Sequence, residues 1–195
     1  MKTPVELCND ALRSLGLRTD CTNLDNPISQ SDKVFAAYYD QTRRKLIKHT
    51  RPRFACVEDF ELLPTPVDPV KSDKVIFLKP RDCLYIQKVD GCAEFTEYGR
   101  EIRVIGAHNR YLILNYVRDV EDTGIWPDEF DELMSAALAK KCATYLTKDA
   151  SAKQIADAEY SVQLQTFNAM NARDTKIKKK HHRLEKRMWP FPYRW

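Results

Sequence analysis

The spacing of apolar residues changes period twice along this chain, near four, then two, then near four again, and that change constrains the fold more than any single motif. In the first stretch Thr3-Pro4-Val5-Glu6 reads as a helix start, with Thr3 as cap, Pro4 in the first turn and Glu6 completing a capping box. Val5, Cys8, Leu12 and Leu15 recur at three- and four-residue spacing with Leu7 and Ala11 alongside, and Gly16 closes the helix. Thr19 to Ile28 is polar and ends in Asn26-Pro27, which predicts a loop. A second helix is predicted from Ser29 or Ser31 to His49. Val34, Phe35, Tyr38, Tyr39, Thr42, Leu46 and Ile47 would be buried, Asp40, Arg43, Arg44 and Lys48 would face outward, and Pro52 would end it.

From Phe54 to Val117 the period is two. Val75 to Leu78, Leu84 to Val89, Cys92 to Tyr98, Ile102 to Ile105 and Tyr111 to Val117 are predicted strands, rich in β-branched and aromatic residues. Asp90-Gly91 and Gly99-Arg100 read as tight turns, so an antiparallel meander is expected, with Pro64, Pro66, Pro69 and Pro80 in loops or at a sheet edge. Helical spacing returns after Gly124. Trp126-Pro127-Asp128-Glu129 starts a third helix whose stripe is Phe130, Leu133, Met134, Ala137, Leu138, Ala139, Cys142 and Leu146. Ser151 and Gln154 read as a second capping box, and Ile155, Ala158, Val162, Phe167 and Met170 carry a fourth helix to about Arg173. The expectation is an α+β chain: a four-helix bundle from residues 1–53 and 119–175, an antiparallel β insert at 54–118, and an extended arm at 176–195.

Charge is segregated along the chain. Residues 176–195 carry eight Lys/Arg against one acid, a net +7, whereas the other 175 residues carry 24 Lys/Arg against 27 Asp/Glu and the whole chain is +4. Such a tail points to an acidic partner. Hydrophobic content of 43% suits a folded body; the start has no apolar signal core and no window has the length of a membrane span, so a cytosolic site of synthesis is expected. Cys8, Cys21, Cys56, Cys83, Cys92 and Cys142 form no CxxC pair and read as reduced thiols, several buried. No catalytic constellation stands out. His181-His182 are adjacent, so their rings diverge and a solvated run explains them better than a metal site. His49 and His108 are isolated, and Glu121-Asp122 and Asp128-Glu129 sit where capping accounts for them. No cofactor is implied.

The order of elements and the residues at their joints resemble the head-to-tail adaptor proteins of short-tailed bacteriophages, also called tail tubular protein A or connector proteins. The likeness runs over most of the chain. It rests on Glu6 to Gly16, on Tyr38-Tyr39 with Arg43 to Leu46, on Phe54-Ala55 followed by Leu62-Leu63-Pro64, and on Pro80 to Leu84, Trp126 to Phe130 and Ala136 to Ala143. Arg53 stands where the family pattern has a tryptophan. The resemblance implies a ring of about twelve copies beneath the portal of the capsid, a tail nozzle protein on its other side, and genomic DNA passing through the channel without sequence-specific binding. It implies a virion protein and no enzyme. It also implies that the arm docks on the portal or a neighbouring adaptor, with Trp189, Phe191, Tyr193 and Trp195 as aromatic anchors and Lys178, Lys179, Lys180, Arg183, Lys186 and Arg187 meeting acidic residues. Two other readings of the same residues stay open. One is a longer fourth helix with solvated lysines. The other is a nucleic-acid-binding protein that grips phosphates and stacks bases with this tail, although here the charges precede the aromatics rather than interleaving with them.

Overall fold

The computed structural model describes residues 2–65, 75–105 and 111–185, with the side chains of all of these except residues 105 and 174–185. The described residues form a mixed α+β structure of four α-helices and two small three-stranded antiparallel sheets. The chain divides into two compact units, one of Met1–Arg43 with Asp122–Trp195 and one of Arg44–Glu121. Among the described residues no helix is long and apolar enough to cross a membrane.

In the first unit, helix α1 (Pro4–Ser14) starts at the capping box that its sequence announces: the Glu6 N–H donates to Thr3 Oγ1 at 3.3 Å while the Thr3 N–H donates to Glu6 Oε2 at 2.6 Å. It ends in a left-handed Gly16 at φ 70°. The Gly16 N–H reaches the Arg13 carbonyl and the Leu17 N–H reaches that of Leu12, closing two carbonyls the helix would leave open. Leu7, Cys8, Ala11 and Leu12 are buried, with Val5 and Leu15 half-buried. Helix α2 (Gln30–Thr50) buries Phe35, Tyr39, Leu46 and Ile47. Arg43, read from spacing as outward-facing, is instead 1% exposed, its guanidinium 3.3 Å from Asp40. An arginine can lie on an apolar face because its stem is hydrocarbon and its planar head satisfies itself on fixed acceptors.

Helix α3 (Asp128–Leu146) is central to the first unit. Phe130, Asp131, Leu133, Met134, Ser135, Ala136, Ala137, Leu138, Ala139, Cys142 and Ala143 are buried, well over one side of the helix, because α1 and α4 (Ala150–Glu185) both pack against it. Small residues let those neighbours approach closely. Trp126 meets Phe130 edge to face at 4.9 Å, and Phe130 meets Phe167 of α4 at 5.5 Å. Helix α4 differs from its sequence reading in three ways. Its first turn is held by Asp149, which accepts from the N–H and hydroxyl of Ser151, so Ser151 lies inside the helix rather than capping it. Its buried residues are Ala156 and Phe167, while Ile155 and Val162 are 63% and 61% exposed, because the face turned to α3 lies about 100° around the helix from Ile155. It also continues to Glu185 instead of ending near Arg173. Lysine, arginine, leucine and glutamate are all good helix formers, and cations near a helix C-terminus meet the negative end of its dipole.

The second unit holds β1 (Cys56–Leu62), β2 (Val75–Leu78), β3 (Cys83–Asp90), β4 (Glu94–Tyr98), β5 (Glu101–Ile105) and β6 (Leu112–Arg118). They do not form a meander. The strand orders are β1-β6-β3 and β2-β5-β4, and β4–β5 is the one sequence-adjacent pair among them. Gly99-Arg100 makes the tight turn of that hairpin, with Gly99 at φ 58° between the paired residues Tyr98 and Glu101. Asp90-Gly91 is not a hairpin turn. Gly91, at φ 99°, carries the chain from one sheet to the other. Strand β1 escapes sequence reading because Val57 and Phe60 flank a bulge with Asp59 at φ 56°, which breaks the alternation; the Asp59 N–H is taken by Asn115 Oδ1 at 2.8 Å. Inward residues of both sheets make one core of Leu62, Phe77, Ile86, Ile102, Val104, Leu112, Leu114 and Tyr116. Pro64 follows β1 and Pro80 heads a turn closed by the Cys83 N–H, while Pro66 and Pro69 lie outside the described residues.

Candidate functional site

Of the tail residues proposed to meet a partner, Lys178, Lys179, Lys180 and Arg183 belong to the helical backbone of α4, and Lys186, Arg187, Trp189, Phe191, Tyr193 and Trp195 lie outside the described residues. The first four therefore rise along a helix at 1.5 Å per residue rather than along an extended strand.

A second basic run, Arg43 to Arg53, holds six Lys/Arg and no acid, and the fold engages most of it. Arg43 is buried beside Asp40. Arg44 Nε donates to Asp119 at 2.7 Å and its guanidinium lies 3.9 Å from Glu121. Arg51 stacks over the Tyr85 ring at 4.3 Å, and Arg53 is 3.7 Å from Glu58. Only Lys45, Lys48 and His49 of this run stand exposed with no acidic partner among the described residues, so the run serves the structure more than it offers an anion site.

The polar centre that sequence reading missed is Asp32. Its carboxylate is buried and accepts from the Thr22 N–H at 2.9 Å, the Ser29 N–H at 3.0 Å and the Ile28 N–H at 3.3 Å, while its own N–H donates to Ser29 Oγ at 2.9 Å. The Thr22 and Ser29 N–H donors hold that carboxyl far below the ordinary carboxylate range. Asn9 completes the clasp from α1, accepting the Cys21 N–H at 2.7 Å and donating to the Cys21 carbonyl at 3.1 Å. The signal was present: Ser29-x-x-Asp32 is a capping-box spacing at the start of α2. The clasp fixes the Cys21–Ser29 loop and leaves the Asp32 oxygens engaged by backbone, so it is architectural.

A second buried carboxyl, Asp131, is 1% exposed and neither oxygen accepts a hydrogen bond among the described residues. Burial pushes it above the ordinary carboxylate value. The six cysteines are free thiols, with Cys8, Cys21 and Cys142 buried; burial pushes Cys21 and Cys142 up to about 12, which keeps them protonated and unreactive at neutral pH. Among the described residues no three His, Cys, Asp or Glu side chains come together as a metal site. His49 is exposed, His108 lies outside the described residues, and His181 and His182 sit in the α4 backbone.

No family model and no curated protein matches the chain.

Proposed function

We propose that this chain is a structural virion protein of the head-to-tail adaptor kind, whose helices pack as a bundle and whose copies form a ring between portal and tail through which DNA passes. The observation that carries the reading is the ordered set of family-like segments running from Glu6 to Ala143. Those segments fall on packing joints. Glu6 to Gly16 is α1 with its C-terminal lock, Tyr38 to Leu46 contains the buried Tyr39 and Arg43, Trp126 to Phe130 contains the edge-to-face pair at the start of α3, and Ala136 to Ala143 is the small-residue stretch of α3. Residues spent on packing and not on a cleft suit a protein that acts as a wall.

Electrostatics supports the same reading. A body at −3 gives a conduit that does not hold DNA phosphates, since a wall that neutralised them would release counterions and bind the duplex. The +7 of residues 176–195 is then reserved for acidic groups on the portal or on a neighbouring adaptor, with Trp189, Phe191, Tyr193 and Trp195 as its anchors. No enzymatic activity belongs to this reading, and the protein resides in the virion.

The test is sedimentation of this chain titrated onto the portal ring of the same genome, with a DNA fragment as competitor. Saturation at equal numbers of adaptor and portal subunits supports the adaptor role, and deletion of residues 176–195 locates the contact. Absence of portal binding together with salt-sensitive co-sedimentation with DNA overturns it in favour of a nucleic-acid-binding protein.

A further inference from the structure

The two sheets of the second unit have four edges, and three of them are blunted. Strand β1 carries the bulge at Asp59, β3 breaks register twice and includes Lys88, and the Ile76 carbonyl of β2 already accepts the Thr65 N–H at 2.9 Å. Strand β4 has none of these devices. Its five residues, Glu94 to Tyr98, pair with β5 in unbroken register, all five are exposed, and none is lysine or proline. The two-residue turn at Gly99-Arg100 makes Tyr98 and Glu101 a hydrogen-bonded pair, so alternation sends the N–H and C=O of Glu94, Thr96 and Tyr98 to β5 and those of Phe95 and Glu97 off the open edge. Phe95 lies opposite Val104 and Glu97 opposite Ile102, both core residues, yet Phe95 is 40% exposed because among the described residues no strand lies beyond β4. The inner face of this sheet ends one strand early.

Residues 186–195 have the composition of the missing strand. They hold three cations and no acid, against two carboxylates and no cation on β4. Pro190 and Pro192 have the same parity, so in an extended chain the sites of their missing donors point to one side while the N–H groups of Trp189, Phe191, Tyr193 and Trp195 all point to the other, with four aromatic side chains on one face. Prolines so placed belong at a sheet edge. Helix α4 carries this segment well past the stretch that packs on α3: Phe167 is its last buried residue among those described, and Glu185 stands roughly 27 Å further along the axis.

We propose that the arm of one copy adds as a strand to the β4 edge of another copy. It runs antiparallel, because that direction puts the arm's aromatics on the inner face beside Phe95, and a parallel arm would put its prolines there. With Tyr193 opposite Phe95, Phe191 falls opposite Glu97 and Arg194 opposite Glu94, a cross-strand pair of opposite charge. Main-chain hydrogen bonds supply the affinity and the alternating side chains the register. Each copy gives an arm and receives one, so the contact is head-to-tail, the kind that closes rings. The inference rests on the reading of residues 176–195 as a docking arm and names its seat.

Sedimentation equilibrium of the full chain without portal, from about 10 μM to about 1 mM, tests this. The mean mass rises above the 22.7 kDa of one chain. Tyr193→Pro weakens association about 10-fold beyond Tyr193→Ala, since it removes an N–H aimed at β4, whereas Arg194→Pro costs no more than Arg194→Ala, since that N–H points away. Glu94→Arg weakens association, and adding Arg194→Glu to it restores the loss. Phe95→Lys spoils the seat and Tyr193→Pro the arm; each variant alone is monomeric, and a mixture of the two forms pairs of twice the chain mass, because one intact arm still meets one intact seat. A monomeric wild type at every concentration overturns the proposal, as does association that Tyr193→Pro and Arg194→Pro weaken alike, or a mixture that stays monomeric. A chain that binds portal but never itself overturns this inference and leaves the adaptor reading standing; self-association with the proline pattern in a chain that ignores portal does the reverse.

Discussion

Phe167 is the residue whose loss most directly measures how α4 is held. Its side chain is 1% exposed, its ring lies 5.5 Å from Phe130, and among the described residues Ala156 is the other buried position of α4. Phe167→Ala removes a full aromatic side chain and leaves a cavity against Phe130, a change that costs about 3–5 kcal/mol at a buried site. With a urea slope of about 2–3 kcal/mol/M for a chain of this size, the midpoint falls by about 1–2.5 M. Ile155→Ala is the paired control, since Ile155 belongs to the same apolar pattern in sequence but is 63% exposed; it costs less than about 0.5 kcal/mol. Urea unfolding at pH 7 and low micromolar concentration measures both, and amide exchange along Ala156 to Phe167 speeds up in Phe167→Ala alone. If the two substitutions cost the same, the assignment of the Ala156–Phe167 side as the packed face of α4 is wrong.

Asp131→Asn raises Tm by about 2–4 °C at pH 7: the folded carboxyl sits above its unfolded value, so its contribution to stability is full below that value and is lost as pH rises, and calorimetry at pH 7 and pH 3 shows the gain shrinking in acid. Asp32 has the opposite sign. Its folded value is depressed, so its stabilisation is present above the ordinary carboxylate range and is lost on acidification; Asp32→Asn removes it at neutral pH, flattens the acid limb of the stability profile and speeds amide exchange at Thr22, Ile28 and Ser29. Gly99→Ala places a Cβ in open space at φ 58°, so it costs about 1–2 kcal/mol through backbone strain alone, and urea unfolding finds Gly99→Asn closer to wild type because asparagine tolerates that conformation.

The local devices were legible in the chain. Thr3 and Glu6 cap α1, Gly16 ends it, Gly99-Arg100 turns β4 into β5, and Trp126-Pro127 opens α3, because each rests on hydrogen bonds and dihedral preferences between residues a few positions apart. The period of apolar residues likewise marked most helices and strands, but not β1, where the bulge at Asp59 breaks the alternation, nor the end of α4. It did not set which strands pair: β6 lies between β1 and β3, and the turn at Asp90-Gly91 leads out of its sheet, choices made by the shared core of Phe77, Ile102, Leu112 and Leu114. Nor could periodicity say that Arg43 is buried while Ile155 and Val162 are bare. A repeat of apolar residues states that a face could be covered; only the position of a neighbouring element decides that it is, and α3 meets α4 at Phe167 and leaves the other seam outside. The sequence by itself determined most element types, the capping box of α1, the Gly16 and Gly99 turns and the segregation of charge, which are local properties. Tertiary structure alone decided pairing, burial and the face left open, because each depends on which distant residues arrive at the same place.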